Sequence, residues 1–193
     1  MSAIGKLTEA RDPYTSGHQE RVAAIATAIA IRLCYDAEFC EGIRVAGLVH
    51  DVGKIYVPAE ILTKPRHLTD PEFAIIREHP RVGYAILKDV KFPWPIAEYV
   101  VHHHERLDGS GYPDGLAGDD ISVGARILAV ADVVEAMSSH RPYKTAAGLD
   151  KALDEIRHNA GRLYDADVVT ACLEMFTTGD FVIPEVSDSP ITG

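Results

Sequence analysis

The stretch Val45-Ala46-Gly47-Leu48-Val49-His50-Asp51-Val52-Gly53-Lys54 decides how this chain is read: an apolar helical run ends on an adjacent imidazole and carboxylate. Two such groups at a buried helix end are costly to desolvate unless something binds them. A divalent cation can do so. Side chains from consecutive residues reach one ion or bridge two, and Lys54 follows within a turn, where it can meet an anion. Standing alone, the dipeptide would sooner be read as a His–Asp hydrogen bond closing a helix, so the rest of the chain has to decide.

Composition bounds the answer. The chain has 193 residues, of which 47% are hydrophobic and 25% charged. That is enough for one domain with a well-buried core, and nothing in it points to disorder or fibre. A net charge of −10 argues against a protein that grips long nucleic acid through backbone phosphates. Any phosphate ligand must be met by a few placed cations. Cys34, Cys40 and Cys172 have no metal-site spacing and are expected as small buried hydrophobes in helices of a protein kept in a reducing compartment. The longest apolar run, Val22 to Ile31, is too short to span a bilayer and is flanked by Arg21 and Arg32. With no signal-peptide pattern at the start, a cytoplasmic location without membrane insertion is expected. Met1 to Ala10 begin without an N-cap, as though a helix were entered part-way, and an upstream domain is expected to have preceded them.

Outward from His50 the periodicity is helical throughout. Val22, Ile25, Ala26, Ile29 and Leu33 form one face of a core helix whose first turn carries His18. Asp36 can cap the next helix, which ends at Gly53. Pro58 opens a short element, and Thr69-Asp70-Pro71-Glu72 reads as a capping box starting a helix through Ile76. Pro80 suits the first turn of another helix and holds His79 at the junction. A helix from Ile96 to Glu105 ends in His102-His103-His104-Glu105, and Asp108 to Gly115 is a turn-rich loop. The run from Ser122 to Met137 is apolar nearly all round, with Asp132 in its middle. Two amphipathic helices follow, about Ala147 to Asn159 and Asp165 to Phe176. No strand-period segment interrupts this, so the expectation is an all-α fold of about seven to eight helices. Residues 1–176 are expected to form the domain and 177–193 an irregular tail.

Seven residues from five segments are candidates for metal ligation: His18, His50, Asp51, His79, His103, His104 and Asp132. Asp132 carries the most weight, since a carboxylate within an apolar helix needs a cation and no basic residue lies one turn away on either side. Seven ligands exceed what one ion needs, which implies a bridged site. Imidazole and carboxylate ligands together suit iron, manganese or zinc. His67, His140 and His158 lie in polar surroundings and are read as surface residues. His102 is placed outside the site because three consecutive helical side chains cannot all point one way.

With these residues in view, the chain resembles the HD-GYP domain of bacterial cyclic di-GMP phosphodiesterases, a subgroup of the HD metal-dependent phosphohydrolases. The motifs are His50-Asp51 with Gly53-Lys54, His79-Pro80 with Gly83, the run from His103 through Gly111-Tyr112-Pro113, Asp132, and Arg141-Pro142-Tyr143-Lys144. The resemblance implies an HD-type helical core with a C-terminal helical extension, and puts the family's metal ligands on the same seven residues. It implies substrate contacts at Lys54, Tyr112, Arg141 and Lys144, and hydrolysis of cyclic di-GMP to linear pGpG, with onward cleavage to GMP. Lys54, Asp51 and Glu135 are the expected catalytic groups. Glu105 and Asp108 are expected to orient an imidazole or cap loop amides.

Two positions depart from the family pattern. Trinuclear members have glutamate where this chain has Tyr14, so two transition-metal ions are expected rather than three, iron or manganese ahead of zinc. Glu135 stands where the family often has aspartate, one methylene shorter. These departures keep open a metal-bound module that senses the nucleotide without turning it over, and a guanine–adenine hybrid substrate is a further alternative. Sensor or receiver domains of the same signalling system are the expected partners.

Overall fold

The structure is a computed structural model that describes residues 17–64, 67–139 and 148–185. Among these residues it contains eight helices of 7 to 16 residues and one of four. Two short 3-10 helices accompany them, and two isolated β-bridges are the only β-structure among the described residues.

Helix α1 (His18–Arg32) buries Val22, Ile25, Ala26 and Ile29 completely. It packs between α2 (Ala37–Val49), α7 (Val123–Ser138) and α9 (Ala166–Thr177). Between α2 and α7 come a 3-10 turn (Val52–Tyr56), the single-turn α3 (Ala59–Leu62), α4 (Asp70–Arg77), α5 (His79–Leu87) and α6 (Ile96–His102). Helix α8 (Leu149–His158) closes the bundle against α7.

The helix starts follow local chemistry. The Asp36 carboxylate accepts from Phe39 N at 2.8 Å, Ser122 Oγ from Ala125 N at 3.4 Å, and Asp165 from Asp167 N and Val168 N at 2.9 and 3.1 Å. Each satisfies amide donors that a first turn leaves without partners. At α4, Glu72 reaches back to accept from Thr69 N at 2.8 Å and from the Thr69 hydroxyl at 2.9 Å. Glu78 both ends α4 and precedes α5, so His79 stands at a helix junction as expected.

Three expectations are corrected. Helix α2 stops at Val49, ahead of Gly53, which lies within the 3-10 turn. The helix from Ile96 stops at His102, not Glu105. His103 Nδ1 donates to Val100 O at 2.6 Å, and Glu105 N closes a tighter turn on His102 O at 2.9 Å. Cys34 is neither buried nor helical: it lies just past α1 with a φ of 60° and is exposed, whereas Cys40 and Cys172 are buried. Over residues 178–185 the backbone is irregular, yet Phe181 and Ile183 still pack on the core.

Candidate metal centre

The bundle brings all seven candidate ligands to one place. The clusters are His79, His103 and His104; His18, His50 and Asp132; and His50, Asp51 and His103. Within each, one ligand atom per residue lies no more than 4.8 Å from the others. The two carboxylates straddle the rings. Asp51 Oδ1 is 3.3 Å from His79 Nε2, while its Oδ2 is 3.5 Å from His50 Nε2 and 3.6 Å from His18 Nε2. Asp132 Oδ1 is 3.4 Å from His18 Nε2 and 3.8 Å from His50 Nε2, and its Oδ2 is 3.9 Å from His104 Nδ1.

Helix ends orient the rings. His50 Nδ1 donates to Gly47 O at 2.8 Å, His79 Nδ1 to Ile76 O at 2.8 Å, and His103 Nδ1 to Val100 O. Each acceptor is a carbonyl three residues back in the last turn of a helix, where backbone acceptors lack ladder partners. A carbonyl only accepts, so Nδ1 carries the proton and Nε2 keeps its lone pair. His18 Nδ1 is held by the Glu135 carboxylate. The Nε2 atoms of His18, His50, His79 and His103 are buried and have no hydrogen-bond partner. Four inward lone pairs beside two carboxylates form a donor set that fits a divalent metal, with the opposite ring nitrogens anchored in the way metal-ligating histidines require.

Electrostatics agree with that fit. Burial holds His79 down to about 4 and His103 down to about 3, and it depresses His50 and His104 as well. His18 is the exception: burial opposes its charge, but Asp132, Asp51 and Glu135 outweigh it and push the ring up to about 10, so a metal would have to displace a proton from its Nε2. Burial would raise Asp51 and Asp132, yet the surrounding cation and imidazoles keep both well below the usual carboxylate range.

Close backbone approach fixes the turn beneath the site. A Cβ on Gly53 would lie 1.9 Å from His79 O and 2.6 Å from Gly83 N, so only glycine lets the 52–56 turn meet α5. Gly111 is similarly tight, its would-be Cβ standing 2.4 Å from Glu105 Cα. Glu105 Oε1 accepts from Asp114 N at 2.7 Å and Gly115 N at 3.1 Å, which ties the loop to the end of α6. That arrangement lays the Tyr112 ring on His104, with centroids 4.7 Å apart. Burial, with Asp132 and Asp51, pushes the Tyr112 hydroxyl upward, so it stays a neutral donor. Asp108 caps the loop instead, accepting from Ser110 N at 3.0 Å.

Lys54 Nζ donates to Asp51 Oδ2 at 2.6 Å. Glu135 lies on the far side of His18, where its carboxylate accepts from Arg21 Nε at 2.7 Å and Ser139 Oγ at 2.6 Å. His102 stays outside the cluster with its Nε2 3.2 Å from Asp114 Oδ2, and His67 and His158 are exposed. Tyr14, His140, Arg141 and Lys144 lie outside the described residues. Sequence reasoning missed Gln19, whose Nε2 donates to Asp51 Oδ2 at 3.4 Å, and the role of Arg21. The available signal was spacing: Arg21 is one helical turn beyond His18.

Residues 3–168 match the HD domain family. The chain belongs to that family. The HD domain here is 42% identical over 175 residues to the cyclic di-GMP phosphodiesterase response regulator RpfG of Xanthomonas campestris pv. campestris, covering 90% of this chain and 46% of that protein. It is 38% identical over 171 residues to the 3′3′-cGAMP-specific phosphodiesterase 3 of Vibrio cholerae, covering 89% and 37%. The chain thus spans less than half the length of these relatives. Among solved structures, Bd1817, an HDG"Y"P protein from Bdellovibrio bacteriovorus, superposes with a TM-score of 0.68 at 18% identity, over 83% of this chain and 51% of that one. The all-α HD-type fold expected from the sequence is borne out.

Proposed function

We propose that this HD domain is a metal-dependent phosphodiesterase that hydrolyses cyclic di-GMP to linear pGpG, with onward cleavage to GMP slower. The observation that carries the reading is the set of four anchored imidazoles whose buried Nε2 atoms converge without partners beside Asp51 and Asp132. In this reading two ions are held. His79, His103 and His104 serve one, His18, His50 and Asp132 the other, and Asp51 turns one oxygen to each group. Iron or manganese suits this ligand set ahead of zinc. Such ions, when bound, lower the pKa of water toward neutrality and polarise phosphoryl oxygens.

The chain's own groups supply the rest. Lys54 sits where it can neutralise a non-bridging phosphate oxygen as charge builds, exchanging its bond to Asp51 for one to substrate. The neutral Tyr112 hydroxyl donates to phosphate. Arg141 and Lys144 hold the part of the dinucleotide away from the breaking bond. Glu135 acts through His18 rather than on substrate, with Arg21 and Ser139 fixing its carboxylate. The names of the relatives support a cyclic dinucleotide as substrate. They also support a place in second-messenger signalling, alongside an input domain such as a response regulator. No helix among the described residues is long and apolar enough to cross a membrane, in keeping with cytoplasmic action.

Anaerobic purification, metal analysis and chromatography of the products from cyclic di-GMP test this together. About two metals per chain and accumulation of pGpG are the expected result. Tight nucleotide binding without turnover would make the protein a sensor module instead.

A further inference from the structure

Beside the metal centre lies a second feature, of which the proposed phosphodiester chemistry uses only the Tyr112 hydroxyl. An open cavity of about 420 Å³ is lined by the exposed Ala74, Arg77, Glu78 and Arg81 and the half-buried Tyr112 and Pro113. That is within the range of small-molecule sites, roughly 300–1,000 Å³. It adjoins the centre through two residues: Glu78 immediately precedes the ligand His79, and the Tyr112 ring that packs on His104 also carries the Arg77 guanidinium 4.8 Å from its centroid.

The charged groups around the cavity are not equivalent. Arg81 is committed, donating to Asp114 Oδ1 at 2.7 Å and Pro113 O at 3.0 Å. Arg77 instead lies over the Tyr112 ring, and Arg77 and Glu78 are both exposed. A donor fork and an acceptor pair therefore lie next to each other at the end of α4, beside an apolar wall of Tyr112 and Pro113.

We infer that this cavity receives a guanine base of the cyclic dinucleotide, with Arg77 and Glu78 reading its two edges. The inference rests on the proposed phosphodiesterase function and adds a purine preference to it. Guanine offers two acceptors, O6 and N7, that match a guanidinium bidentately, and two donors, N1–H and the exocyclic amine, that match a carboxylate. Adenine turns an amine toward the arginine and a lone pair toward the glutamate, so both contacts become repulsive or unmet. The Tyr112 ring already packs on His104 and carries the Arg77 guanidinium, so recognition of the base falls to Arg77 and Glu78.

Steady-state kinetics on the metal-loaded chain with cyclic di-GMP, 3′3′-cGAMP and cyclic di-AMP test the pair. Arg77→Ala is expected to raise KM for cyclic di-GMP about tenfold with a smaller effect on kcat, as loss of one bidentate base contact does. Glu78→Gln is expected to narrow the gap in kcat/KM between cyclic di-GMP and cyclic di-AMP. Metal content and Tm at wild-type values show that neither variant has disturbed the centre or the fold. Unchanged KM and unchanged purine preference in both variants, with wild type active on cyclic di-GMP, overturn the guanine site alone. A wild-type protein that hydrolyses bis(p-nitrophenyl) phosphate but no cyclic dinucleotide overturns the functional reading and the guanine site together.

Discussion

Two lysine–carboxylate pairs of the same length sit in different regions of this molecule. Lys54 Nζ lies 2.6 Å from Asp51 Oδ2 in the buried centre, and Lys64 Nζ lies 2.6 Å from Glu72 Oε2 at the corner that begins α4. The second pair completes a local unit: Glu72 also caps its own helix through Thr69, and water reaches all its members. The first pair leaves much unsettled. Asp51 is almost wholly buried and faces three imidazole Nε2 atoms besides the lysine, an arrangement that packing alone would not favour. Equal distances thus carry different meanings. The partly exposed pair contributes modestly to folding, while the buried one belongs to a donor set that a cation could complete.

The largest expected break in that comparison comes from His50→Ala or Asp51→Ala. Either should release the metal and reduce turnover on the order of 10³-fold or more, while Glu72→Ala leaves both intact. Metal analysis beside turnover and circular dichroism checks this, and a His50→Ala protein with full metal and normal rate means that the centre is elsewhere. Next comes Gly53→Ala. Its methyl group would meet the His79 and Gly83 backbone, which cannot swing aside as a side chain can. A loss of about 3 kcal/mol in denaturant unfolding is expected, the upper end for overpacking. If stability is unchanged, the 52–56 turn does not press on α5 as described.

Lys54→Ala should lower kcat roughly 10- to 100-fold with less change in KM, because its charge matters most as the phosphate gains charge. Lys64→Ala should leave kcat alone, and a matching rate loss there would erase the distinction between the pairs. The smallest effect belongs to Glu72→Gln. Lys64, with the amide and hydroxyl of Thr69, holds the Glu72 carboxyl down to about 2 from its ordinary 4.5. The ionised form is therefore favoured in the folded state. Its contribution is fully present above the ordinary value and is lost as pH falls through the folded one. A Tm deficit of about 1 °C for Glu72→Gln near pH 7 should shrink toward zero as the pH approaches about 2. A deficit that grows in acid contradicts this sign.

Much of the fold is legible in the residue order because the rules that start helices act within one turn. Asp36, Glu72, Ser122 and Asp165 cap helices through amides two or three residues away, and the stripe of Val22, Ile25, Ala26 and Ile29 marks a buried face by period alone. The seven candidate ligands are legible for a related reason. A polar group at a position whose neighbours demand burial announces that something must satisfy it, as Asp132 does within α7.

What the sequence by itself determined, then, is an all-helical chain carrying a set of imidazoles and carboxylates that burial makes costly. Only the tertiary structure decided how they are used. The end of α6 depends on Glu105 reaching the amides of Asp114 and Gly115, nine and ten residues on, which no helix propensity anticipates. The place of Glu135 depends on His18, 117 residues away, and on Arg21 across the α1–α7 interface. The cavity at Arg77 and Glu78 exists because the loop lays Tyr112 against the end of α4. Local preferences arise from sterics and hydrogen bonds within a turn. The direction of a lone pair, or the partner of a buried charge, is set by which helices pack together, and that is a property of the whole core.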